Sequence, residues 1–568
     1  MSPSPLQELP VELFLDNLLP FVPVPDLLRL TCCNKLFASL CTDDMLWKRK
    51  ISEDFNFFGQ GTARTSGWNE KANGRLGLSH IPRSVAQGVP YPMQVRLPGV
   101  RIVSLMAGGM SFHALDSDGN VHVWGTLNGG WGPFAAENQG FSNVAKQAKT
   151  PLKLVLPNPI RSISCGRLHS SCLDDTNKVW TFTNWGRPFW LSSSILRDPD
   201  SAPRQIECGW AFSSLLTKYG EVFVWWPFAG SMGAAIEQKM RDMDNEGDKK
   251  ARATEDGTIP CTTWDLDIIP IRLPSIPSLP ELPNTDSPKT SKTTELVQIA
   301  AFDNHIVGLT NYGHVLKFGS LDDENSVPQG RWEYLPEFSE IGRVKEHPPF
   351  STASETEKLE APETMQITHI TATFRHFVAY STGSSSIVLV GDVDTKPDSL
   401  PKVIPQLQNK SIISLLTWGA YSNGALGLGD PLKLEPGTPG GFANFRDRQQ
   451  AKERGRIGPT ELPAVDVPTE VRFDHNCKKP IDRFCFAATA SGWHTGALVI
   501  DLEPGVNDDE VEAGPTEDLT PSPSRWPGGA TPPIIPLPGI IRLGHAGRGT
   551  FGRGRGGLHQ PDNGGDTV

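Results

Sequence analysis

The chain has 568 residues, with 53 lysines and arginines against 64 aspartates and glutamates, so its net charge is −11. This acidic balance argues against a broad nucleic-acid-binding surface. The chain has nine cysteines without a CxxC pair and lacks an apolar run long enough to cross a membrane. We therefore expect a reducing compartment, the cytoplasm or the nucleus, and no membrane partner.

Three short helices are predicted between residues 9 and 55. The first has an apolar stripe at helical spacing, formed by Val11, Phe14, Leu15 and Leu18. The second is predicted to begin near Asp26, a suitable helix N-terminus, and to extend to Leu40. Residues 42–44 (Thr-Asp-Asp) can cap a third segment that contains Leu46 and Trp47. Such helices have little core of their own, so their surplus apolar surface predicts a partner helix.

The order LPxEL, DLLRLxxxNKxF and LWKRK in this segment resembles the F-box. The resemblance implies binding to a Skp-type adaptor and, through it, to the cullin and RING subunit of an SCF ubiquitin ligase. The adaptor-binding residues that it implies are Leu9, Pro10, Leu15, Leu18, Leu28, Leu30, Leu36 and Trp47. The alternative is a helical cap that packs on the following domain.

A sequence repeat occupies most of the remaining chain. Its front half has a usually small residue, a frequent His three positions later and an apolar residue four after that. The front halves are Gly108-Ser111-Leu115, Gly166-His169-Leu173, Gly209-Phe212-Leu216, Phe302-His305-Leu309, Thr373-His376-Tyr380 and Ser491-His494-Leu498. Sixteen residues after the first position stands a large apolar residue, at Trp124, Phe182, Trp225, Phe318 and Leu389. A turn residue separates the halves, at Gly119, Asn177, Gly220, Gly313 and Gly383.

Two further back halves begin at Trp68 and Trp418, each followed by an Asn-Gly-x-Leu-Gly-Leu run. The whole pattern resembles the repeats of the regulator of chromosome condensation family, which build a seven-bladed β-propeller. The back half at Trp68 has no front half before it, and the front half over 491–498 has no back half after it. We expect these two to pair, because that closes the ring and removes open sheet edges.

The front half expected before Trp418 is missing. Residues 402–414 read KVIPQLQNKSIIS, and about sixteen residues of the repeat are lacking between Ser414 and Leu415. A splice variant, a gene-model error or a degenerate sixth blade each accounts for this gap. The sequence as written predicts a propeller that is weakened at this blade.

The predicted fold is therefore multidomain. A small all-α F-box over 1–57 precedes an all-β seven-bladed propeller over 58–502, with one blade incomplete, and a disordered Pro/Gly-rich tail over 503–568. Polar inserts at about 230–294, 340–363 and 434–463 are predicted to be disordered loops, the last with a helix-like RDRQQAKERGR. Three tail arginines, Arg548, Arg553 and Arg555, could bind RNA weakly; the alternative is a solubilising tail.

No motif of enzymatic chemistry occurs: GxxxxGK[ST], HExxH and GxSxG are all absent. The recurring histidines occupy one position of the repeat, so we expect a repeated hydrogen bond inside a hairpin rather than a metal or catalytic site. No catalytic residue, metal or cofactor is predicted, and the chain is expected not to be an enzyme.

The combined resemblances imply a substrate receptor of an SCF ubiquitin ligase. Its propeller would hold an unknown protein substrate near the ubiquitin-charged enzyme, so that the raised local concentration of substrate accelerates ubiquitin transfer. An N-terminal F-box before this type of propeller resembles the fungal SCF-associated factor proteins. The alternatives are a guanine-nucleotide exchange factor or chromatin binder, as the propeller family suggests, and an F-box protein that acts outside a ligase.

Overall fold

A computed structural model describes parts of residues 11–47 and then, from residue 63 to residue 501, most of the chain. The described ranges after residue 47 are 63–70, 74–78, 88–95, 97–127, 147–197, 201–246, 251–282, 293–351, 361, 365–381, 387–404, 415–419, 424–455, 457, 461–475, 483–491 and 494–501. The predicted tail over 503–568, with its three arginines, lies outside the described residues, as do Leu9 and Pro10.

The described residues are mostly β-strand with a few short helices. The helices are α1 (Val24–Thr31), α2 (Lys35–Leu40), α3 (Ser194–Arg197), α4 (Gly230–Asn245), α5 (Pro336–Ser339), α6 (Ile341–Glu346), α7 (Pro348–Ser351), α8 (Phe445–Arg454) and a 3-10 turn over Val327–Gln329. The strands are β1 (Ala63–Glu70), β2 (Gly88–Val95), β3 (Ile102–Ala107), β4 (Ser111–Asp116), β5 (Val121–Thr126), β6 (Gln147–Val155), β7 (Ile160–Cys165), β8 (Ser170–Asp174), β9 (Val179–Phe182), β10 (Phe189–Leu191), β11 (Pro203–Cys208), β12 (Ser213–Thr217), β13 (Val222–Trp225), β14 (Thr258–Pro260), β15 (Trp264–Leu266), β16 (Ile271–Arg272), β17 (Leu296–Phe302), β18 (His305–Thr310), β19 (Val315–Phe318), β20 (Trp332–Tyr334), β21 (His369–Thr373), β22 (His376–Tyr380), β23 (Val388–Asp392), β24 (Lys402–Ile404), β25 (Leu416–Gly419), β26 (Val465–Glu470), β27 (Arg483–Ser491) and β28 (His494–Asp501).

The described strands form seven hydrogen-bonded sheets. Their strand orders are β27-β28-β1-β2 (sheet I), β3-β4-β5-β6-β14 (sheet II), β7-β8-β9-β10-β15 (sheet III), β11-β12-β13-β16 (sheet IV), β17-β18-β19-β20 (sheet V), β21-β22-β23-β24 (sheet VI) and β25-β26 (sheet VII). Within each of sheets II to VI, the first strand ends at or just before the front half of a repeat, the front half supplies the second strand and the back half supplies the third. The sequence repeat is thus the structural repeat.

The first strands of successive sheets lie side by side in a ring. Strand β27 is next to β3, and β7, β11, β17 and β21 follow in that order. At the end of β21, the Thr373 hydroxyl donates a hydrogen bond to the carbonyl of Ala490 in β27. Six inner strands therefore surround one axis, which is the arrangement of a β-propeller.

Strands from the two ends of the described propeller close the ring. Strand β1 pairs antiparallel with β28, with Trp68 opposite Thr495 and Thr65 opposite Leu498. The predicted pairing of the two orphan half-repeats is therefore confirmed. It satisfies the backbone donors and acceptors of both strands, which would otherwise be exposed at open edges.

The large apolar residue of the back half packs in the core, as its repetition predicts. Trp124, Phe182, Trp225, Phe318 and Leu389 are all buried. Trp124 stacks on Phe112 with ring centroids 5.4 Å apart, and each of the other four lies in an apolar cluster of its own region of the ring. These contacts hold neighbouring sheets together face to face.

The predicted turns between the second and third strands have left-handed backbone at the expected residue. φ is 80° at Gly119, 67° at Asn177, 78° at Gly220 and 94° at Gly313, a conformation that Gly and Asn tolerate best. Gly383 lies outside the described residues. The backbone conformation of the turn therefore explains the repeated Gly or Asn, and at Gly119 and Gly220 a side chain would also collide with Pro159 and with the Leu296 backbone.

Side chains of the inner strands bond to the backbone of the next sheet. Gln205 donates to the carbonyl of Ile299 at 2.7 Å and accepts from its amide at 3.0 Å. Gln298 makes the same pair of bonds with Ile370, at 3.0 and 3.1 Å. Each glutamine therefore replaces, between two sheets, the hydrogen bonds that a further strand would supply.

Sheet VII has only two described strands, which agrees with the missing front half. Strand β25 pairs with β26, and Trp418 is only half-buried, unlike the tryptophans in the equivalent position of complete sheets. The inner ring nevertheless closes past this sheet through the bond between Thr373 and Ala490. The gap in the sequence therefore removes the inner strands of sheet VII, and the described inner ring closes with the six strands of the other sheets.

The prediction that residues 230–294 form a disordered loop is wrong for the described part. Helix α4 buries Met232, Ile236 and Met243, and Arg187 of the preceding sheets forms an ion pair with Asp244 at 2.8 Å. Strands β14, β15 and β16 then extend sheets II, III and IV. Composition missed this because a few well-spaced apolar residues anchor an otherwise polar segment.

The other two inserts are also ordered where they are described. Helices α5, α6 and α7 bury Phe338, Val344 and Phe350 between sheets V and VI, so the prediction of disorder over 340–363 is wrong up to residue 351. In the third insert, the predicted helix is confirmed as α8. Asn444 caps it by accepting the amide of Asp447 at 3.0 Å, and Ala451 is buried.

We predict that Leu498→Ala destabilises the closed ring by about 3 kcal/mol. Leu498 is fully buried in β28, where it packs with Phe112 and Trp124 of sheet II, so its truncation leaves a cavity at the closure. Val467→Ala is the matched control: Val467 is 70% exposed, and its loss should change stability by less than about 0.5 kcal/mol. Urea unfolding measures both, and equal midpoints would contradict the prediction.

Candidate functional site

The N-terminal helices form a small apolar core, in keeping with the expectation that they have little core of their own. Its buried members are Phe14, Leu19, Leu27, Leu40, Cys41 and Leu46. The predicted second helix is interrupted: Asn34 accepts the amide of Phe37 at 2.9 Å and so starts α2 as a separate helix. Asp43 caps the next segment through the amide of Leu46 at 3.1 Å, as predicted.

The structure brings four of the predicted adaptor-binding residues onto the rim of this core. Leu15, Leu30, Leu36 and Trp47 are partly buried against it, and the Trp47 indole donates to the carbonyl of Cys41 at 2.7 Å. Leu28 lies in α1, but the structure does not describe its side chain. Leu9 and Pro10 lie outside the described residues.

Two large apolar side chains of the first segment point away from the core. Leu18, a predicted adaptor contact, is 49% exposed, and Val11 is 45% exposed. The predicted stripe is thus divided, because Phe14 is buried while Val11 and Leu18 are not. Val11 belongs to the stripe but not to the residues implied by the family resemblance. These exposed residues, with the half-buried rim, form the first candidate surface.

Two of the four recurring histidines, His169 and His494, bond between sheets rather than inside a hairpin. His169 donates from Nε2 to the carbonyl of Phe212 at 3.2 Å, and His494 donates from Nε2 to the carbonyl of Ser111 at 3.1 Å. The acceptor residues, Phe212 and Ser111, stand three residues after the start of their own front halves. This is the same repeat position that the histidines occupy in the neighbouring sheets. Burial lowers the pKa of His169 to about 4 and that of His494 to about 3, so both are neutral at physiological pH.

A second candidate surface lies near the axis, at the turns that leave the inner strands. This surface is formed by residues that stand one or two positions after the first residue of a front half. We call these residues the axial cluster: Arg167, Trp210, Asp303, Phe374 and Arg375. The guanidinium of Arg167 lies over the Trp210 ring, 4.7 Å from its centroid. The rings of Trp210 and Phe374 lie 5.1 Å apart, although their sheets are not neighbours in the ring.

The backbone of these turns is tied from one sheet to the next. The amide of Gly109 donates to the carbonyl of Gly166 at 3.0 Å, that of Arg167 to Trp210 at 3.2 Å and that of Trp210 to Asp303 at 2.6 Å. A side chain at Gly109 would collide with the Arg167 backbone. The turns are therefore held close together, which fixes the side chains of the axial cluster.

The charges of the axial cluster are mixed. Burial raises the pKa of the Asp303 carboxyl, and Arg375 opposes that rise. Arg375 also lies 3.8 Å from Asp394, and burial lowers the pKa of the Arg167 guanidinium. The sequence reading missed this cluster because its members differ from repeat to repeat, and only the positions that recur were considered.

Glu207, on β11, is a half-buried carboxyl that connects three sheets. Ser164 donates to it at 3.3 Å and Gln205 at 2.8 Å, and the Ala301 amide also donates to it. Burial raises its pKa to about 7 from 4.5, although these hydrogen bonds oppose the rise. Its repeat position is filled by Ser164 and Thr489 in sheets III and I, whose hydroxyls accept the amides of Cys208 and Ala107.

Within the described residues, no group of His, Cys, Asp and Glu side chains could hold a metal ion. The described cysteines are all free thiols, and Cys165 contacts His113 at 3.0 Å. Burial lowers the pKa of His113 to about 3 and raises that of the Cys165 thiol, so this pair is unsuited to nucleophilic chemistry near neutral pH. No described helix is both long and apolar enough to span a membrane.

The ring of sheets, its closure and the repeat pattern define a β-propeller. No protein-family model matches the sequence. Over 116 residues the chain is 30% identical to the probable E3 ubiquitin-protein ligase HERC3 of Homo sapiens, a match that covers 20% of this chain and 10% of that protein. It is 25% identical over 185 residues to the RCC1-like G exchanging factor-like protein of Mus musculus, covering 29% and 37%. The repeats are thus of the RCC1 type.

The chain spans only a minor part of the length of these two relatives, 10% of the first and 37% of the second. Among solved structures, human WBSCR16 is similar at a TM-score of 0.42 and 15% identity, covering 77% of this chain and 98% of that one.

We predict that Glu207→Gln flattens the pH dependence of stability. Because the folded pKa is raised, the carboxyl stabilises the fold most below its unfolded pKa of 4.5, and this contribution is lost as pH rises through about 7. Glutamine removes the charge and keeps one acceptor oxygen, so the accepted bond that it loses is lost at every pH and only the slope against pH changes. The variant should therefore gain about 2 kcal/mol on wild type between pH 5 and pH 8.

Urea unfolding at several pH values measures this gain. Glu237→Gln is the control, because Glu237 is exposed on α4 and its loss should leave the pH profile unchanged. Parallel profiles for wild type and Glu207→Gln would show that the carboxyl is hydrated and not desolvated in the folded protein.

Proposed function

We propose that this protein is the substrate-recognition subunit of an SCF-type cullin ubiquitin ligase. The N-terminal helices bind the Skp-type adaptor, and through it the cullin and the RING subunit, while the propeller binds a protein substrate. The single observation that carries this proposal is the capped helical segment with Leu18 and Val11 exposed, since an unpartnered apolar surface next to a small core favours a protein partner.

In this role the chain is not an enzyme and contributes no reacting group. It holds substrate lysines close to a ubiquitin-charged enzyme, and the gain in rate comes from raised local concentration. The cytoplasm and the nucleus are the compartments that suit such a function. Neither a metal nor a cofactor is required of this chain.

The names of relatives give limited support to this assignment. HERC3 is named as a ubiquitin ligase, yet only 10% of it is matched, so the propeller rather than the ligase chemistry is what the two chains share. A role in ubiquitin transfer is thus compatible with this scaffold. The order of F-box-like residues before β1 is the feature that points to the SCF class.

A second candidate function is guanine-nucleotide exchange on a small GTPase. The observation that favours it is the similarity to the mouse RCC1-like G exchanging factor-like protein. The net charge of −11 disfavours the related role of a chromatin-binding propeller, because DNA and the chain would repel each other.

We predict that purified Skp-type adaptor binds the wild-type chain and that Leu18→Glu abolishes this binding. Leu18 is exposed, so a buried charge would arise only in the complex, where it is costly. Leu9→Ala/Pro10→Ala should weaken binding as well. A pulldown with the adaptor, followed by titration calorimetry, measures the loss.

Lys35→Gln serves as the control, because Lys35 is exposed at the start of α2 and lies outside the implied contact. Equal circular dichroism melts would show that Leu18→Glu leaves the fold intact. If the wild type fails to bind the adaptor, the proposal is wrong, and nucleotide exchange on small GTPases becomes the leading function.

A further inference from the structure

We propose that the axial cluster is the substrate site of the propeller and that it binds an extended peptide segment with an aspartate or glutamate next to an apolar side chain. This inference deepens the proposed function and rests on it, since a receptor needs a surface that holds its substrate. The argument uses the aromatic pair, the guanidinium beside it and the backbone of the turns.

The aromatic pair offers an apolar contact surface in a fixed position. Trp210 and Phe374 are both partly exposed, and their rings lie 5.1 Å apart. The backbone hydrogen bonds on either side of Trp210 hold its turn, so little conformational entropy is lost when a side chain packs on the ring. Tryptophan and arginine are the residues that most often dominate protein-binding energy.

The Arg167 guanidinium supplies the charged half of the site. One face of it stacks on Trp210, and a stacked guanidinium still presents its N–H groups in its own plane, where a carboxylate can accept two of them. Arg375 is already near Asp394 and Asp303. The charge that best complements the cluster beside the aromatic pair is therefore a carboxylate.

The backbone at two positions of the axial cluster is in an unusual conformation. Phe374 has φ of 46° and Asp303, at the same repeat position, has φ of 43°, a left-handed conformation in which glycine would be unstrained. A phenylalanine in this conformation is typical of sites where the side chain has a binding role.

The test uses the full chain and three fluorescein-labelled peptides of about ten residues. All three have a Ser/Gly background: one contains repeated Glu-Phe, one Lys-Phe and one Glu-Ser. Fluorescence anisotropy should show saturable binding of the Glu-Phe peptide only, because that peptide alone supplies both the carboxylate and the apolar contact.

Variants then assign the binding to the cluster. Arg167→Gln and Trp210→Ala should each weaken Glu-Phe binding at least about tenfold. Trp210→Phe and Arg167→Lys, which disturb folding least, should weaken it less. Arg204→Gln is the matched control, because Arg204 is an exposed arginine at the other end of β11, and it should change binding less than about twofold.

The inference is overturned if the wild type does not bind the Glu-Phe peptide at about 1 mM, if the Lys-Phe peptide binds as tightly, or if Arg204→Gln weakens binding as much as Arg167→Gln. The adaptor takes no part in this assay. Failure of the peptide assay therefore leaves the adaptor result intact, and failure of adaptor binding leaves the peptide result intact.

Discussion

The antiparallel pairing of β1 with β28 is the contact on which the rest of the propeller depends. The two strands come from opposite ends of the described propeller, so this pair joins those ends through backbone hydrogen bonds, beside the packing of β27 and β28 on β3. Its hydrogen bonds are individually modest, but an unpaired strand at either end would expose a row of backbone donors and acceptors. Closure is therefore a cooperative constraint on the whole ring.

Closure also explains why side chains, rather than further strands, join neighbouring sheets. Gln205 and Gln298 bond to the backbone of the following sheet, and His169 and His494 do the same at the turns. Such bonds are specific in direction and distance, so they fix the register of one sheet against the next. The side chains of the axial cluster lie on this fixed frame, which is why they can meet across the axis.

The sequence predicted the recurring parts of the fold and missed the parts that occur once. The repeat spacing located Trp124 and Phe318 in the core and paired the orphan halves, because those features follow from one pattern applied many times. Helix α4 was missed, since three buried residues, Met232, Ile236 and Met243, are too few to outweigh a polar composition. The axial cluster was missed for a related reason: contacts such as that of Trp210 with Phe374 join positions that differ between repeats and are far apart in the chain.

The closing strand also determines how far the two candidate surfaces can be from each other. Only residues 48–62 lie between Trp47, at the rim of the helical core, and Ala63, the first residue of β1, and the sixteen steps from one to the other span at most about 58 Å. In the proposed ligase, the adaptor-bound helices are thus attached directly to the seam of the propeller. A substrate held at the axis would then stay within a bounded distance of the ubiquitin-charged enzyme, and a short tether keeps its local concentration high. Insertion of flexible residues in 48–62 would enlarge the volume that a bound substrate can explore, without altering either candidate surface. The length of this connection therefore links the closing strand β1 to the proposed function.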